Sequence, residues 1–495
     1  MDALDKIYYP SSQKNNMANI KKNFFYSSVL TTANYLFPML TYPYVARVLG
    51  VDKIGLCNFA DSIISYFLLF SMMGIGTVGI REIAKYRGNQ EKLDQAYSSL
   101  FTLNSITTVI AVIALLIATY CVPQLYANKE LMFVGAVRLL VSYLQIEWLF
   151  KGLEDFKYIT VRTLTIKVFY VIGVFLFVRT KNDYVIYFAL YTLMVAVNAI
   201  INVWYARHFV HFVVKRISIS PFIKSFVILG IYMFLTSLYG TFNVAFLGFT
   251  SNETQVGYYT TATKLYTILL SLFSAFTGVM MPRMSSLLAE GKKDEFKNLL
   301  HRSVNILMMF STPLVFFSIV FAPQIIGIIS GKGYEGAILP MRIAMPLMLI
   351  IGYEQILVIQ TLMPLKKDRA ILINSAIGAA TGLLLNIIIV PYLQSVGSSI
   401  VWFLSECMVL ISAQYFVTKY VGLRFPFALF LKNLLAYVPM MFFIIPIYLY
   451  VDNIIVSFIL GGLIMCVYSY VLNIHILHNE EALNFYKLMV AKIKR

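Results

Sequence analysis

Apolar runs of about 20 residues recur along almost the whole chain, each bounded by a short polar stretch. Twenty residues of α-helix reach about 30 Å, the thickness of the hydrocarbon core of a bilayer. The runs therefore predict about 14 membrane-spanning helices. They lie near 24–46, 56–79, 98–122, 129–150, 160–178, 184–206, 224–248, 256–281, 304–329, 337–363, 370–391, 396–418, 430–450 and 454–474. Several contain prolines: Pro38 and Pro43 in the first, Pro313 and Pro323 in the ninth, Pro439 and Pro446 in the thirteenth. Each removes a backbone donor and predicts a bend, which a bundle tolerates where neighbours or cavity water satisfy the freed carbonyl.

The polar stretches set the orientation. With the N-terminus inside, inner loops carry about 30 of the Lys and Arg residues and outer loops about 6, with about 4 left inside spans. That bias predicts cytoplasmic termini at both ends and an even number of spans. The outer loops are all short, which argues against an extracytoplasmic catalytic domain, and no G-x-x-x-x-G-K-[ST] motif supplies an ATPase module.

Composition agrees: 495 residues, 59% hydrophobic and 13% charged, where soluble domains carry roughly a quarter charged. The net charge of +17 is dispersed over loops rather than gathered on one face, so it points to membrane topology and not to nucleic acid. The four cysteines (Cys57, Cys121, Cys407, Cys466) sit in or at the ends of apolar runs and suit neither a disulfide framework nor a metal site. The first run starts near Phe24, lacks a small-residue cleavage site and continues as a full span, so no cleaved signal peptide is expected. Met17, followed by ANIKKNFF, reads as an alternative start.

An internal duplication organises the chain. VARVLGVDKIGLCNFADSI carries Leu49 and Gly50, then Gly55 and, five residues on, Ala60; the later stretch carries Leu247 and Gly248, then Gly257 and Ala262 at the same interval. This predicts two pseudo-symmetric halves facing each other across a cavity. The expected division is a tail (1–23), an N-lobe of six helices (24–206), an inter-lobe loop (207–223), a C-lobe of six (224–418), two further helices (430–474) and a C-terminal tail (475–495).

Charges inside spans carry the candidate chemistry, because hydrocarbon cannot solvate them and each costs at least about 2.5 kcal/mol there. Arg138 falls near the middle of the fourth span, Lys167 in the fifth and Lys264 a third of the way into the eighth. Arg47 and Arg342, nearer span ends, are expected to snorkel to the interface. The acids Asp61, Glu147, Glu354 and Glu406 are either partners of the cations or binders of a coupling proton or sodium ion. Gly74, Gly76 and Gly79 spell G-x-G-x-x-G, but no strand precedes them, so they are read as helix packing or a hinge. His475 and His478 have metal-compatible spacing but lack further ligands, and read as a polar helix face.

Three runs carry a resemblance: NFADSIISYFLLFSMMGIGTVGIREIAKYRGN (Asn58 to Asn89), EWLFKGLEDFKYITVR (Glu147 to Arg162) and the stretch from Asn243 that ends PRMSSLLAEG. In order and separation they resemble Wzx-type polysaccharide repeat-unit flippases of the multidrug/oligosaccharidyl-lipid/polysaccharide exporter superfamily, over the first twelve helices. The resemblance implies an all-α polytopic protein, with two six-helix lobes forming a V around a cavity that opens alternately to either side. It implies a polyprenyl-pyrophosphate-linked oligosaccharide moved from the inner to the outer leaflet of the bacterial plasma membrane. O-antigen, capsule or exopolysaccharide synthesis would be served, with a polysaccharide polymerase and chain-length machinery as partners. The family motifs fall on Arg81, Glu82, Trp148, Gly152, Glu154, Gly257, Tyr258, Ala262, Lys264, Pro282 and Arg283. Where relatives often carry an acid, this chain has Asn243, which puts any cation coupling assigned to that carboxylate in question. Helices 13 and 14 are expected either to groove the lipid tail or to serve structure alone.

The residues support the same picture independently. A pyrophosphate diester carries about two negative charges, which Arg138, Lys167, Lys264 and Arg47 suit. Moving them outward down an inside-negative potential gains about 4.6 kcal/mol per 100 mV. No cofactor or metal is expected beyond a coupling proton or sodium ion. The rivals are a lipid II flippase, a multidrug antiporter (whose cationic drugs would want carboxylates in the first and seventh spans), a membrane polysaccharide polymerase and a scaffold without transport.

Overall fold

A computed structural model describes residues 13–238, 241–479 and 481–483; the expected tails at 1–23 and 475–495 lie partly outside them. Among the described residues all regular secondary structure is helical, without strands, and twelve helices are long and apolar enough to cross a membrane. Two of them are unusually long. Gln13–Met72 has 60 residues, about 90 Å at 1.5 Å per residue, but is broken at Gly50 (φ 75°), a conformation that glycine adopts without a Cβ clash. Asp368–Val421 has 54 residues and is broken at Gln394 (φ 49°). Both breaks fall between runs predicted as separate spans, which is why the helices are fewer than the runs.

Five predicted spans are not continuous helices; the second breaks at left-handed Met73 (φ 31°), between Gln13–Met72 and Ile75–Lys85. The fourth run is Lys129–Ser142, a tight turn at Tyr143–Gln145, left-handed Ile146 (φ 33°), then Glu147–Gly152. The seventh divides into Ser220–Ser237 and Thr241–Thr250. The tenth is Ile338–Ala344 and Leu347–Leu357 followed by a wide turn at Val358–Leu362, with Pro346 at its first joint. Pro323 likewise does not bend the ninth span. It sits in the first turn of a separate helix, Ala322–Ile329, where its missing N–H would have had no partner anyway. Helix starts follow polar residues at the ends of runs: Asn89 accepts from the Lys92 amide, Asp155 from Tyr158, Asn252 from Gln255 and Asn453 from Ile455 and Val456.

Polarity is distributed inside out relative to a soluble protein. Large apolar side chains such as Phe169, Ile387, Tyr392, Phe442 and Ile459 are exposed, whereas Ser99, Thr108, Asn202, Ser311, Ser398 and Ser405 are buried. Many of the buried hydroxyls donate back to the carbonyl four residues earlier, as Thr108 does to Asn104 and Ser405 to Val401, so they require no partner from another helix.

The chain divides into two compact units: one holds the residues up to Thr41 with Ile63–Met233, the other Tyr42–Ser62 with Phe234 onward. The expected inter-lobe loop at 207–223 thus belongs wholly to the first unit. In that unit Ile75, Val78, Tyr97, Leu100, Trp148 and Phe226 form a continuous core. The G-x-G-x-x-G run packs into it: a methyl at Gly74 would overlap the Phe226 backbone, one at Gly79 the Trp148 ring, and one at Gly76 would meet open space.

In the second unit the two copies of the duplicated stretch touch. A methyl on Gly55 would overlap the Glu253 carbonyl, and one on Gly257 the Val51 carbonyl. Around this crossing Asn58 Nδ2 donates to Thr260 at 2.9 Å, Tyr42 and Thr261 share a 2.6 Å hydrogen bond, and Gly248 backs onto the Phe59 ring. Small residues that admit backbone against backbone are the usual substitute for a hydrophobic driving force between membrane helices. Gly55→Ala or Gly257→Ala should destabilise the folded protein by about 1–3 kcal/mol through overpacking. Gly76→Ala should leave the thermal midpoint in detergent unchanged; equal midpoints for all three variants would mean the backbones are not in contact.

Candidate functional site

The first unit builds its polar cluster around the interrupted fourth span. Glu147 is the first residue after the left-handed turn at Ile146, and its carboxylate receives Arg162 at 2.9 Å and Lys151 at 3.4 Å. The Arg162 side chain, 4% exposed, also donates to Asn202, whose amide in turn donates to the Gln145 carbonyl. The turn therefore has its free backbone carbonyl and its new charge satisfied from two neighbouring helices, Phe156–Phe177 and Tyr184–Ala206. Tyr158 stacks on Tyr205 at 3.8 Å and donates to Asn202 at 3.0 Å, while Tyr205 donates to Asp155 at 2.9 Å. A groove of about 480 Å³ runs beside them, lined by Lys157, Tyr158, Val161, Arg162, Ile201 and Tyr205.

The other two candidate cations of this unit are Arg138 and Lys167, the latter an electrostatic neighbour of Glu147. Arg138 is 2% exposed, its guanidinium 5.4 Å from the Phe188 ring and 5.2 Å from Tyr191, a cation–π setting in a low-dielectric interior. Lys167 is part-buried, donates to Asn34 at 2.5 Å and lies 5.8 Å from the Phe37 ring.

In the second unit Lys264 is part-buried, with its ammonium 5.1 Å from the Tyr42 ring and Asp61 as its electrostatic partner. Arg47 is exposed and donates to the carbonyls of Pro43 at 2.7 Å, Gly327 at 3.4 Å and Ile328, capping the C-terminal end of Ala322–Ile329. Arg342 likewise gives its Nε to the Ile319 carbonyl at 3.0 Å. Asn243 is fully buried in a neutral network, accepting from Asn386 at 2.7 Å and donating to the Tyr259 hydroxyl at 3.3 Å. Glu354 and Glu406 interact with each other, and Glu406 accepts from Trp402 Nε1 at 3.1 Å.

The four expected acids thus divide. Glu147 and Asp61 have cations beside them, whereas Glu354 and Glu406 have one another. The motif positions hold the backbone together. Arg87 donates to the Gly152 carbonyl at 2.6 Å and pairs with Glu154 at 3.0 Å, Glu154 being left-handed (φ 63°). Arg81 pairs with its neighbour Glu82 at 3.1 Å, Tyr258 packs on Gly336, and Arg283 lies 3.9 Å from Glu295 beyond Pro282, which stays inside its helix. Little in the sequence marks Arg162, Asn202, Tyr266 or Trp402, because the partners that place them are 15 to 136 positions away. Only the position of Arg162 at the edge of a quoted motif hinted at it.

Residues 20–288, more than half of the chain, match the family described as polysaccharide biosynthesis protein. The chain belongs to that family. A relative from Escherichia coli (strain K12), named "Putative O-antigen transporter", is 26% identical over 80% of this chain and 95% of its own length. Among solved structures, the fold is like that of the lipid II flippase MurJ in an inward closed conformation (TM-score 0.75, 15% identity, 92% of this chain, 100% of that one). It is also like an inward-facing multidrug resistance MATE family transporter of the MOP superfamily (TM-score 0.63, 13% identity, 77% and 95%). This family member is a multi-pass membrane protein.

The Arg162–Glu147 pair is open to a direct energetic test. A double-mutant cycle of Arg162→Met and Glu147→Gln, read by thermal unfolding in detergent, should give a coupling on the order of 0.5–3 kcal/mol. Strict additivity would mean the pair does not hold the interrupted helix.

Proposed function

We propose that the chain is a flippase that moves polyprenyl-pyrophosphate-linked oligosaccharide repeat units from the inner to the outer leaflet of the bacterial plasma membrane by alternating access. O-antigen, capsule or exopolysaccharide synthesis would draw on the product. The observation that carries the proposal is Arg138, a permanently charged side chain 2% exposed inside an apolar helix of a polysaccharide-family protein. Burying it is costly, and an anionic headgroup passing through the membrane is the cargo such a cation serves. Lys167 and Lys264, part-buried beside aromatic rings, are the proposed second and third contacts. Arg47, engaged with a helix end, is the weakest of the four candidates.

A transporter is also what the relatives are named as, and a polymerase or other enzyme is not. Lipid II is the second reading for the cargo, favoured by the fold likeness to MurJ over 92% of the chain. Both termini are proposed to be cytoplasmic, and a polysaccharide polymerase with its chain-length machinery to act on the product. With two negative charges moving outward, the membrane potential supplies about 4.6 kcal/mol per 100 mV, whether or not an ion is exchanged.

Lys264→Ala and Arg138→Ala should each abolish complementation of a flippase-deficient strain at wild-type protein levels, and Lys264→Arg should retain part of it. Full complementation by both alanine variants would remove these cations from the translocation path. In sealed vesicles, collapsing the potential should slow flipping of a lipid-linked oligosaccharide; an unchanged rate would eliminate the potential as the driving force.

A further inference from the structure

The cations proposed for the cargo leave the groove beside Tyr158 and Tyr205 without a role. It has a volume of about 480 Å³ and lies between the first turns of Phe156–Phe177 and the last turns of Tyr184–Ala206, at one end of two neighbouring spans. Its aromatic residues give its depth. Tyr158 and Tyr205 stack in its wall, and Trp204, 62% exposed, adjoins Tyr205 and stands edge-on to the His208 ring at 5.7 Å. Tryptophan and tyrosine gather where a membrane gives way to water, at the level of lipid headgroups.

Helical spacing shows which way the groove faces. Thr160 and Lys167, seven residues apart, form the side of Phe156–Phe177 that meets Gln13–Met72, donating to the Tyr26 carbonyl and the Asn34 side chain. Tyr158, Val161, Thr165, Phe169, Ile172 and Leu176 follow one another at three- or four-residue steps on the other side. Of these, Val161, Phe169, Ile172 and Leu176 are between 47% and 68% exposed, and Leu193, Ile200 and Trp204 of the neighbouring helix are exposed too. A continuous surface of large apolar side chains is a membrane contact, so the groove opens onto hydrocarbon.

The charge at its rim is positive. Lys157, exposed in the first turn of its helix, makes no ion pair among the described residues, and exposed Arg207 follows the last turn of the neighbouring one. Arg162 forms part of the wall. Its guanidinium reaches Asn202, Glu147 and Thr163, but Nε is buried without a hydrogen-bond partner among the described residues. Buried N–H groups are almost always bonded, so the wall is short of one acceptor oxygen. The nearby acids are engaged: Glu147 by Arg162 and Lys151, Asp155 by the Tyr205 hydroxyl and the Tyr158 amide. A basic pocket between spans, at headgroup depth and continued by an apolar surface, suits a lipid phosphate with its acyl chains.

We infer that this groove binds an anionic phospholipid of the surrounding bilayer, its phosphate between Lys157 and Arg162 and its acyl chains along Val161, Phe169 and Ile172. The lipid braces the helix that supplies Arg162 to the interrupted fourth span. The site does not depend on the flippase reading.

Native mass spectrometry of the delipidated full-length protein tests it, with dioleoyl phosphatidylglycerol as probe and zwitterionic dioleoyl phosphatidylcholine for comparison. Phosphatidylglycerol should be held about five-fold or more tightly than phosphatidylcholine, and Lys157→Gln should weaken it about five-fold, the weight of one basic residue beside a membrane surface. Lys157→Arg should bind as wild type. Thr165→Trp, which fills the groove without changing charge, should abolish the preference, whereas Lys297→Gln, on Lys293–Val320 of the second unit, should keep it. Wild-type thermal midpoints for these variants in phosphatidylcholine separate loss of the site from loss of the fold. Equal affinity for the two lipids, or wild-type phosphatidylglycerol binding by both Lys157→Gln and Thr165→Trp, would overturn the proposal. So would displacement of the phospholipid by equimolar farnesyl pyrophosphate, which would assign the groove to the cargo, or by millimolar inorganic phosphate, which would make it a site for the free anion.

Discussion

Hydrocarbon offers neither hydrogen bonds nor charge solvation, and that constraint orders the rest of this protein. It requires each span to satisfy its own backbone, so the spans among the described residues are helices. It explains why serine and threonine fold back on their own helices. It also explains why the interruption at Ile146 coincides with the most heavily bonded polar cluster of the first unit. A helix can break at membrane depth only where other side chains take over the freed groups, and Asn202 and Arg162 do so.

The same constraint sorts the buried charges into kinds. Arg47 and Arg342 end on backbone carbonyls, stabilising helix ends as cations do. Glu147 pairs with Arg162 and Lys151. Arg138, Lys167 and Lys264 instead lie against aromatic rings, a setting that tolerates a cation without neutralising it. Glu354 and Glu406 are the inverse case, two acids of the second unit that have each other as electrostatic neighbours.

The glycine contacts at the duplicated stretch give the repeat a physical meaning. Gly55 and Gly257 occupy equivalent places in the two copies, and each admits a backbone carbonyl of the other copy. A duplicated packing surface that meets its own duplicate needs small residues on both sides, so both copies keep the glycine. Fold likeness to MurJ and to a MATE transporter, at 15% and 13% identity, shows that the fold is compatible with very different sequences. Cargo is decided by side chains that the shared fold leaves free to vary.

The sequence by itself determined what depends on composition and local order: the helical membrane architecture, where spans begin after polar caps, the family, and the rarity of charges within apolar runs. Those signals are local because the bilayer acts on every residue alike, whatever its distant neighbours. Tertiary structure alone decided which charges are engaged. Arg162 meets Glu147 and Asn202, Glu354 meets Glu406, Tyr266 meets Trp402, and Arg47 finds a helix end 280 positions away. It also broke the fourth span at Ile146 and opened a new helix before Pro323, where hydropathy shows an unbroken run. Pairing between distant helices leaves no periodic trace in a chain, since it is settled by how the helices rotate and cross rather than by the spacing of residues along any one of them.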